Sequence, residues 1–527
     1  MNTAAIDPPD TSGAAAARET PAHSMIGTDA GVQNMSEAMS VAQAFPKGLW
    51  RLCLVEFLER ASFYGIRAIL ILYMVAPVAQ GGLALPDSSA AAGYGLYLGA
   101  VYLSALLGGW IGDRWLGARG ALLAGAIAIV LGHLQLGLAT TGASWLVAHG
   151  VARQTVLAAS LATIVLGTGL FKPNIAALVG HLYEVSDRRR DRGFTRFYMM
   201  VNAGGLAGGL TVGWIAARFG WTLGFLAASL GVVLCVVVLA TTRIPQGFEP
   251  AIAATDRPPF RALGIGALAP VCAWAVVSIW ALTSVSLHEL GVWSAAVIAV
   301  ICMAYFYLVR RTATAPERRG IEGVIVLFAV GVVFIFGFEQ AGSWMTLFAA
   351  RDVQPSVGGF RVPAAWYTGL NDLLVVLMAP VVGAMWTYRR QAAAGVSTHV
   401  KLALGLVATG VGFLVIAIAA YVASNDGPVL PLWLLATYAF HTFGELCIGP
   451  VSLSAVSRLS PPRLTAQLLG MWYASAALGT LLGGLLLDLL PFDTLSLSSR
   501  FCTTAVLLLV SGVVLWRAKR LHGAIDC

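Results

Sequence analysis

Charged side chains are scarce in this sequence, since Asp, Glu, Lys and Arg together make up 11% of its 527 residues. A soluble domain carries about a quarter charged residues, so this chain cannot surround several globular cores with a solvated surface. The shortage of charge excludes a multidomain cytosolic enzyme. Hydrophobic residues reach 58%, which also excludes a disordered chain, because disordered segments are poor in hydrophobic residues.

Cysteine and histidine are scarce as well. The seven cysteines lie in or beside apolar runs or at the last position, so they predict apolar packing and not a disulfide framework. The eight histidines suggest no metal-ligand cluster or nucleophile and base pair, which disfavours a membrane-embedded enzyme or receptor.

The run Gly167–Pro173 has the wrong glycine spacing for a Walker motif, which disfavours an ATP-driven pump. We predict no enzyme activity, bound metal or cofactor.

Long apolar runs dominate what the sequence does contain. Runs of about 20 residues recur along nearly the whole chain, which is the length that crosses a bilayer as a helix. An outer-membrane barrel would show short alternating segments instead. We therefore predict an all-α polytopic membrane protein with about 14 transmembrane helices of that length. The predicted spans are 50–78, 92–112, 119–139, 153–180, 197–217, 221–241, 262–285, 291–309, 321–349, 365–387, 400–422, 431–457, 465–488 and 501–518.

The net charge of +8 comes from basic residues concentrated in alternate connections between spans, such as Arg188–Arg192 and Arg310–Arg319. This pattern is typical of membrane topology. It places both termini in the cytoplasm and gives no reason to expect a nucleic-acid partner. Residues 1–45 lack a basic segment leading into a hydrophobic one, so we expect a flexible tail there and not a cleaved signal.

The basic, proline-containing segments 242–261 and 310–320 bracket two spans with almost no intramembrane charge. Six spans precede this hairpin and six follow it, which is a layout found in secondary transporters. The predicted domains are a cytoplasmic tail (1–45), an N-terminal six-helix bundle (46–241), a linker with an inserted transmembrane hairpin (242–319), a C-terminal six-helix bundle (320–520) and a second cytoplasmic tail (521–527).

The first span carries charges that lipid would not tolerate, because a charge at mid-membrane costs at least about 2.5–3.5 kcal/mol. Helical periodicity places Glu56, Glu59, Arg60, Tyr64 and Arg67 on one face. We expect that face to line a hydrated cavity in which carboxylates exchange a proton for an ion pair. The alternative is a static buried ion-pair network that fixes the packing.

Three later spans also carry isolated charges: Lys172, Glu339 and Glu445. A lone buried lysine in an arginine-rich chain suggests a functional ammonium, although a lysine can also extend to the membrane surface. The two carboxyls are functional candidates, or they are protonated groups that hydrogen-bond within the bundle. His441 lies one helical turn before Glu445 and is either a group that tunes it or a packing residue.

Asp113 and Arg114 follow a glycine-rich span end at a cytoplasmic turn. Small residues there permit close helix contact. The pair therefore predicts either a gating latch between the two halves or a simple topological anchor.

From Trp50 to Lys519 the chain resembles the proton-dependent oligopeptide transporters, a branch of the major facilitator superfamily. Five motifs carry the resemblance, and their order and spacing are specific. They are Glu56-x-x-Glu59-Arg60 with Tyr64-Gly65, Gly-Leu-Phe-Lys172-Pro-Asn174, Phe197-Tyr-Met-Met-Val-Asn202-Ala-Gly204, Phe338-Glu339-Gln340 with Gly342-Ser343, and Gly444-Glu445 followed by Pro450. The inserted hairpin is similar to that of bacterial members.

The resemblance implies a major facilitator fold and proton-coupled import of di- and tripeptides across the cell inner membrane by alternating access. It implies protons as the coupling ion, no cofactor, membrane lipids as surroundings and a functional monomer. The implied carboxylate-binding residues are Arg60 and Lys172, and the implied ammonium-binding residue is Glu445. Tyr64, Tyr102, Asn202 and Asn371 resemble positions that hydrogen-bond the peptide, Trp472 one that lines the side-chain pocket, and Glu56, Glu59 and Glu339 the proton-coupling carboxylates.

Two residues depart from the family signature, because Ala61 stands for its phenylalanine and Phe63 for its first tyrosine. Neither departure removes a charge, so both bear on pocket shape and substrate range more than on coupling. Two alternatives stay open within transport. One is a relative that carries another small zwitterion or anion, and the other is a multidrug exporter of the same superfamily, which needs no paired carboxylate and ammonium sites.

Overall fold

Long helices form most of the computed structural model. The structure describes residues 45–46, 48–140, 152–183, 187, 189–241, 276, 280, 285–391, 396–485, 496–517 and 525. The α-helices are α1 (Leu49–Val75), α2 (Asp87–Ile111), α3 (Gly117–Thr140), α4 (Arg153–His181), α5 (Arg189–Phe219), α6 (Trp221–Thr241), α7 (Leu287–Thr312), α8 (Ala315–Phe338), α9 (Trp344–Arg351), α10 (Gly369–Gln391), α11 (Thr398–Asp426), α12 (Leu432–Leu459), α13 (Thr465–Leu485) and α14 (Leu497–Arg517).

Shorter elements connect these helices. A π-helical segment joins α2 to α3, and 3-10 turns follow α1, join α8 to α9 and precede α10. Their bounds are Gly112–Leu116 for the π-helical segment and Val78–Gln80, Glu339–Gly342 and Ala364–Thr368 for the 3-10 turns. Strands β1 (Ser356–Val357) and β2 (Phe360–Arg361) form an antiparallel hairpin after α9.

The predicted spans agree closely with the helices. Each coincides with a described helix except 321–349, which contains a break, and 262–285, which lies almost wholly outside the described residues, so the count of fourteen stays a prediction. Ten helical stretches of the described chain are long and apolar enough to cross a membrane. Helices α1 and α12 are not among those ten, and they carry the charged residues Glu59, Arg60 and Glu445.

The predicted span 321–349 is not one continuous helix. Helix α8 ends at Phe338, a 3-10 turn covers Glu339–Gly342, and α9 begins at Trp344. The break is stabilised from outside the segment, because the buried Gln340 amide donates a hydrogen bond to the Thr504 hydroxyl of α14 at 3.1 Å. The functional candidate Glu339 therefore lies at a break in the backbone and not within a regular helix.

Helices α1–α6 pack mainly against one another, and α8–α14 do the same. We call these groups the N-terminal set and the C-terminal set. They meet where α2 packs on α13 and where α5 packs on α10. The α2–α13 approach is close: a Cβ atom on Gly484 would lie 2.6 Å from the Ala91 carbonyl oxygen. Helix α7 contacts both sets, through α2 and α13.

The two sets are also joined by an ion pair at one end of the bundle. Arg351, at the end of α9, donates hydrogen bonds to both carboxylate oxygens of Asp87, at the start of α2, at 2.5 and 2.8 Å. We call this the far end, and the opposite end, where α1 begins and α14 ends, the terminal end. Both side chains of the pair are substantially exposed.

The described cysteines are unpaired thiols. Cys53, Cys235, Cys302 and Cys447 are buried among apolar side chains, as expected for packing residues, whereas Cys502 is exposed. Cys272 and Cys527 lie outside the described residues.

Candidate functional site

The charged face of α1 is buried inside the protein. Glu56, Glu59 and Arg60 are 4%, 1% and 2% exposed. Arg60 Nε lies 2.6 Å from Glu59 Oε2 and 3.4 Å from Glu56 Oε1, while Glu56 Oε2 has no hydrogen-bond partner in the described chain. The guanidinium also stacks over the Phe63 ring, 4.7 Å from its centroid. One turn of α1 thus holds a preformed arginine flanked by two carboxylates, as the spacing predicted.

Two turns further along the same face, Arg67 joins the N-terminal set to the C-terminal set. Its Nη2 pairs with Glu339 of the 3-10 turn after α8, and its Nε donates to the Tyr94 hydroxyl at 2.8 Å. The Tyr102 hydroxyl of α2 donates to the other Glu339 oxygen at 2.8 Å. Among the described residues, the partners of the Glu339 carboxylate belong to the N-terminal set, so its charge state bears directly on the contact between the sets.

Lys172 on α4 lies next to this network. Its Nζ is 5.5 Å from the centroid of the Tyr102 ring, and no carboxylate of the described chain forms an ion pair with it. Helix α4 makes a polar contact with α2, because the Asn174 amide donates to the Gly108 carbonyl oxygen at 3.2 Å. Lys172 is only partly exposed, so the structure places an unpaired ammonium beside the residues that hold Glu339.

A cavity opens between the two sets beside this network. Its volume is about 740 Å³ including open solvent at the mouth. The residues that line it are Tyr64, Arg67, Tyr198, Val201, Asn202, Phe338, Ala341, Gly342, Thr368, Asn371, Asp372, Tyr438, His441 and Glu445.

Glu445 provides the anionic wall of the cavity. The Asn371 amide donates to Glu445 Oε2 at 3.0 Å, and the Thr442 hydroxyl donates to Asn371 Oδ1 at 2.7 Å. These contacts orient the carboxylate without neutralising it, and no cation of the described chain forms an ion pair with Glu445. His441, one turn earlier on α12, stacks on Phe413 with a centroid distance of 4.6 Å.

Four of the eight predicted substrate-binding residues line this cavity, namely Tyr64, Asn202, Asn371 and Glu445. Arg60, Tyr102, Lys172 and Trp472 are not part of its lining. Tyr102 lies between Lys172 and Glu339 and contacts both of them. Trp472 is half-buried on α13, where its ring lies close to Gly331 of α8.

The predicted gating pair lies apart from the cavity. Asp113 and Arg114 are exposed in the π-helical segment at the terminal end, and the Arg114 guanidinium lies 5.4 Å from the centroid of the Trp110 ring. No ion pair involving Asp113 is present in the described chain, so the latch function stays a prediction.

Sequence reasoning missed Asp372. This carboxylate follows Asn371 on α10, is 5% exposed and lines the cavity. The signal was available, because an aspartate within the predicted span 365–387 is as costly in lipid as the acids that were singled out. The partnership of Arg67 with Glu339 was missed too, since nothing local in sequence connects residues 272 positions apart.

A polytopic helical fold with a charged cavity between two sets of helices defines a membrane transport protein. The family model described as the POT family, the proton-dependent oligopeptide transporters, matches residues 119–498. Relatives of this family cover most of the chain at 30% identity or more. The chain belongs to the POT family, whose members are transporters and not enzymes, and it has the helical major facilitator fold of that family.

The similarity to individual relatives extends over almost their whole length. A peptide transporter of Yersinia enterocolitica, YePEPT, is 33% identical over 88% of this chain and 94% of its own. A di-/tripeptide transporter of Lactococcus lactis is 30% identical over 93% of this chain and 98% of its own. A crystal structure of a peptide transporter of this family in complex with sulfate superposes with a TM-score of 0.79 at 33% identity, covering 92% and 96% of the two chains.

Proposed function

We propose that this chain is a proton-coupled symporter that imports di- and tripeptides by alternating access. One observation carries the proposal. Within the described residues, the ammonium of Lys172 and the carboxylate of Glu445 each lack an oppositely charged partner, and they belong to different sets of helices. A solute with one carboxylate and one ammonium satisfies both groups at once and favours closure of the two sets around it.

In this proposal the peptide carboxylate binds Lys172 and Arg60, and the peptide ammonium binds Glu445. Tyr64 and Asn202, which line the cavity beside Glu445, hydrogen-bond the peptide, and so does Tyr102. Asn371 has a second role, because its amide already holds Glu445 in position. Trp472 completes the side-chain pocket when the sets close. Hydrogen bonds to charged groups are the strong ones, so the two termini dominate affinity and the side chains modulate it.

Proton coupling is assigned to Glu56, Glu59 and Glu339, with Arg60 as the basic partner of the first two. Protonation of Glu339 removes the charge that holds Arg67 and loosens a contact between the sets. Protonation of Glu56 or Glu59 frees Arg60 for the peptide carboxylate. Deprotonation on the cytoplasmic side restores the ion pairs and helps to expel the peptide. The membrane potential drives the cycle inward, since each charge that crosses 100 mV is worth about 2.3 kcal/mol.

The remaining parts of the proposal concern the setting of the transporter. The protein lies in the bacterial inner membrane with both termini in the cytoplasm, as the distribution of arginines indicates. It works as a monomer surrounded by lipid. Residues 46–241 and 320–520 move as two bundles, 242–319 forms a linker with an inserted hairpin, and Asp113 with Arg114 forms a latch at the cytoplasmic side.

The test is uptake by purified protein in liposomes. With an acidic exterior, labelled dialanine accumulates above its external concentration, and the accumulation disappears when a protonophore collapses the gradient. Excess unlabelled dialanine competes, whereas a lipophilic cation does not. Export of the lipophilic cation without dialanine uptake would identify a multidrug exporter. Competition by a different small zwitterion or anion, with none by dialanine, would identify another solute.

A further inference from the structure

A second carboxylate faces the cavity beside Glu445. Asp372 lies on α10 directly after Asn371, the residue whose amide holds Glu445. Its side chain is 5% exposed and lines the same cavity as Glu445, Tyr198 and Arg67. The proposed peptide cycle gives this group no task.

Asp372 has no hydrogen bond or ion pair to any residue that the structure describes. Among the described residues, the cavity lining contains one arginine or lysine, Arg67, and its guanidinium is already engaged by Glu339 and Tyr94. A buried carboxylate without a partner is costly. The Asp372 carboxylate is satisfied if a ligand supplies a donor.

The shape of α5 leaves room for the Asp372 carboxylate. A Cβ atom on Gly205 would lie 2.7 Å from Asp372 Oδ1 and 2.8 Å from Oδ2. Any other residue at position 205 would therefore displace the carboxylate. Asp372 thus projects from the C-terminal set against the backbone of the N-terminal set, at the boundary where a solute must bind.

Charge balance points to the kind of solute. A peptide with neutral side chains brings one ammonium and one carboxylate, which match Glu445 and Lys172. Asp372 then has no partner on the peptide, in a cavity from which the peptide has displaced water. A peptide with a lysine or arginine side chain brings a second cation that forms a charge-assisted hydrogen bond with Asp372.

We propose that Asp372 is a specificity-determining residue that gives the site a preference for di- and tripeptides carrying a lysine or arginine side chain. This inference rests on the proposed peptide transport. Discrimination comes from the side chain of the cationic peptide, which gains a partner in Asp372 that a neutral side chain cannot use.

The experiment compares two dipeptides that differ in charge but hardly in length. Alanyl-lysine and alanyl-norleucine, and the two peptides in reverse order, compete against labelled dialanine uptake in liposomes. We expect the lysine peptide to inhibit at about tenfold lower concentration than its norleucine match in at least one order, which corresponds to one charge-assisted contact of about 1.4 kcal/mol. In Asp372→Asn this ratio falls to about one, and in Asp372→Glu it is largely retained.

Two further measurements keep the result interpretable. The same ratio is read from thermal stabilisation of the purified variants, because a ligand that binds only the folded state raises the melting temperature even where transport is slow. Asp426→Asn, which removes an exposed carboxylate at the end of α11, serves as the control and keeps both uptake and ratio.

The possible outcomes distinguish a failure of this inference from a failure of the proposed peptide transport. A wild-type ratio near one in both orders, or an unchanged ratio in Asp372→Asn, overturns the assignment while peptide transport stands. Loss of gradient-driven accumulation of all peptides in Asp372→Asn, with the ratio intact, makes it a proton carrier instead and also overturns the assignment. If the wild-type protein neither transports nor binds any of these peptides, the proposed function falls, and this inference with it.

Discussion

The two sets of helices present their charges in different ways. On the N-terminal side, Arg60 of α1 is already paired with two carboxylates of its own helix. On the C-terminal side, Glu445 and Asp372 face the cavity with no ion pair in the described chain, and Glu445 is held only by a neutral amide. A paired group such as Arg60 can exchange its partner, whereas an unpaired group such as Glu445 can bind a charged group of the solute.

This difference suggests a division of labour. The ion pairs of α1 are suited to sense protonation, because a proton on a carboxylate changes what the arginine binds. The carboxylates of α10 and α12 are suited to recognise the cationic groups of a solute. Lys172 is the exception on the N-terminal side, since it is an unpaired cation next to Tyr102. Glu339 is the exception on the C-terminal side, since it is fully paired with Arg67.

The largest effect should follow from removing the unpaired cation. Lys172→Gln is expected to lower dialanine uptake at least about thirtyfold, because loss of one member of a buried charge pair costs 2 kcal/mol or more. Labelled uptake in liposomes measures it. Lys401→Gln, which removes a lysine at the terminal end of α11, is the matched control. Uptake by Lys172→Gln at the wild-type level would contradict the assignment of the carboxylate pole.

A smaller effect is expected at the anionic wall. Glu445→Gln keeps the shape of the side chain and loses its charge, so dialanine affinity should fall about tenfold, the value of one charge-assisted contact. Competition binding measures the loss, with Asp426→Asn as control. If Glu445→Gln binds dialanine as tightly as the wild type does, the ammonium binds elsewhere.

The paired group on the C-terminal side should separate coupling from binding. Glu339→Gln removes the charge that Arg67 needs, so accumulation of dialanine against its gradient should be lost while exchange of internal for external dialanine continues. Both are measured in the same liposomes. Loss of exchange as well, or survival of accumulation, would contradict the distinction between sensing and recognising groups.

The smallest effect is expected at the far end. Asp87→Asn removes the exposed pair with Arg351, which crosses between the sets, and exposed pairs are worth less than about 1 kcal/mol. The melting temperature should hardly change, but the transport rate should shift slightly and its dependence on salt should weaken. Glu322→Gln breaks another exposed pair, with Arg310, that does not join the sets, and should leave the rate unchanged. Equal effects of the two substitutions would show that the far-end pair has no special role.

The sequence predicted those features that depend on local spacing. The offsets along α1 were enough to place Glu56, Glu59 and Arg60 together, because a helix repeats every 3.6 residues. Length and hydropathy are enough to predict ten of the described helical stretches as membrane spans.

Features that depend on tertiary contact were beyond the sequence. The break of span 321–349 is held by Thr504 of α14, and the partner of Glu339 lies on α1, so neither is visible in a local window. Asp372 was a different case, because its charge within an apolar span was visible from the start. What the sequence could not supply was the position of α5, whose Gly205 leaves room for that carboxylate.

The most direct test of the two poles removes one charge from the ligand and one from the protein. Binding of dialanine, its C-terminal amide and its N-acetyl form is compared in wild type, Lys172→Gln and Glu445→Gln by thermal stabilisation. We predict that the amide binds more weakly than dialanine in wild type and that this difference becomes much smaller in Lys172→Gln. The N-acetyl form should likewise bind more weakly than dialanine in wild type, and this difference should become much smaller in Glu445→Gln. The reverse pairing, or losses that simply add in every combination, would contradict the account.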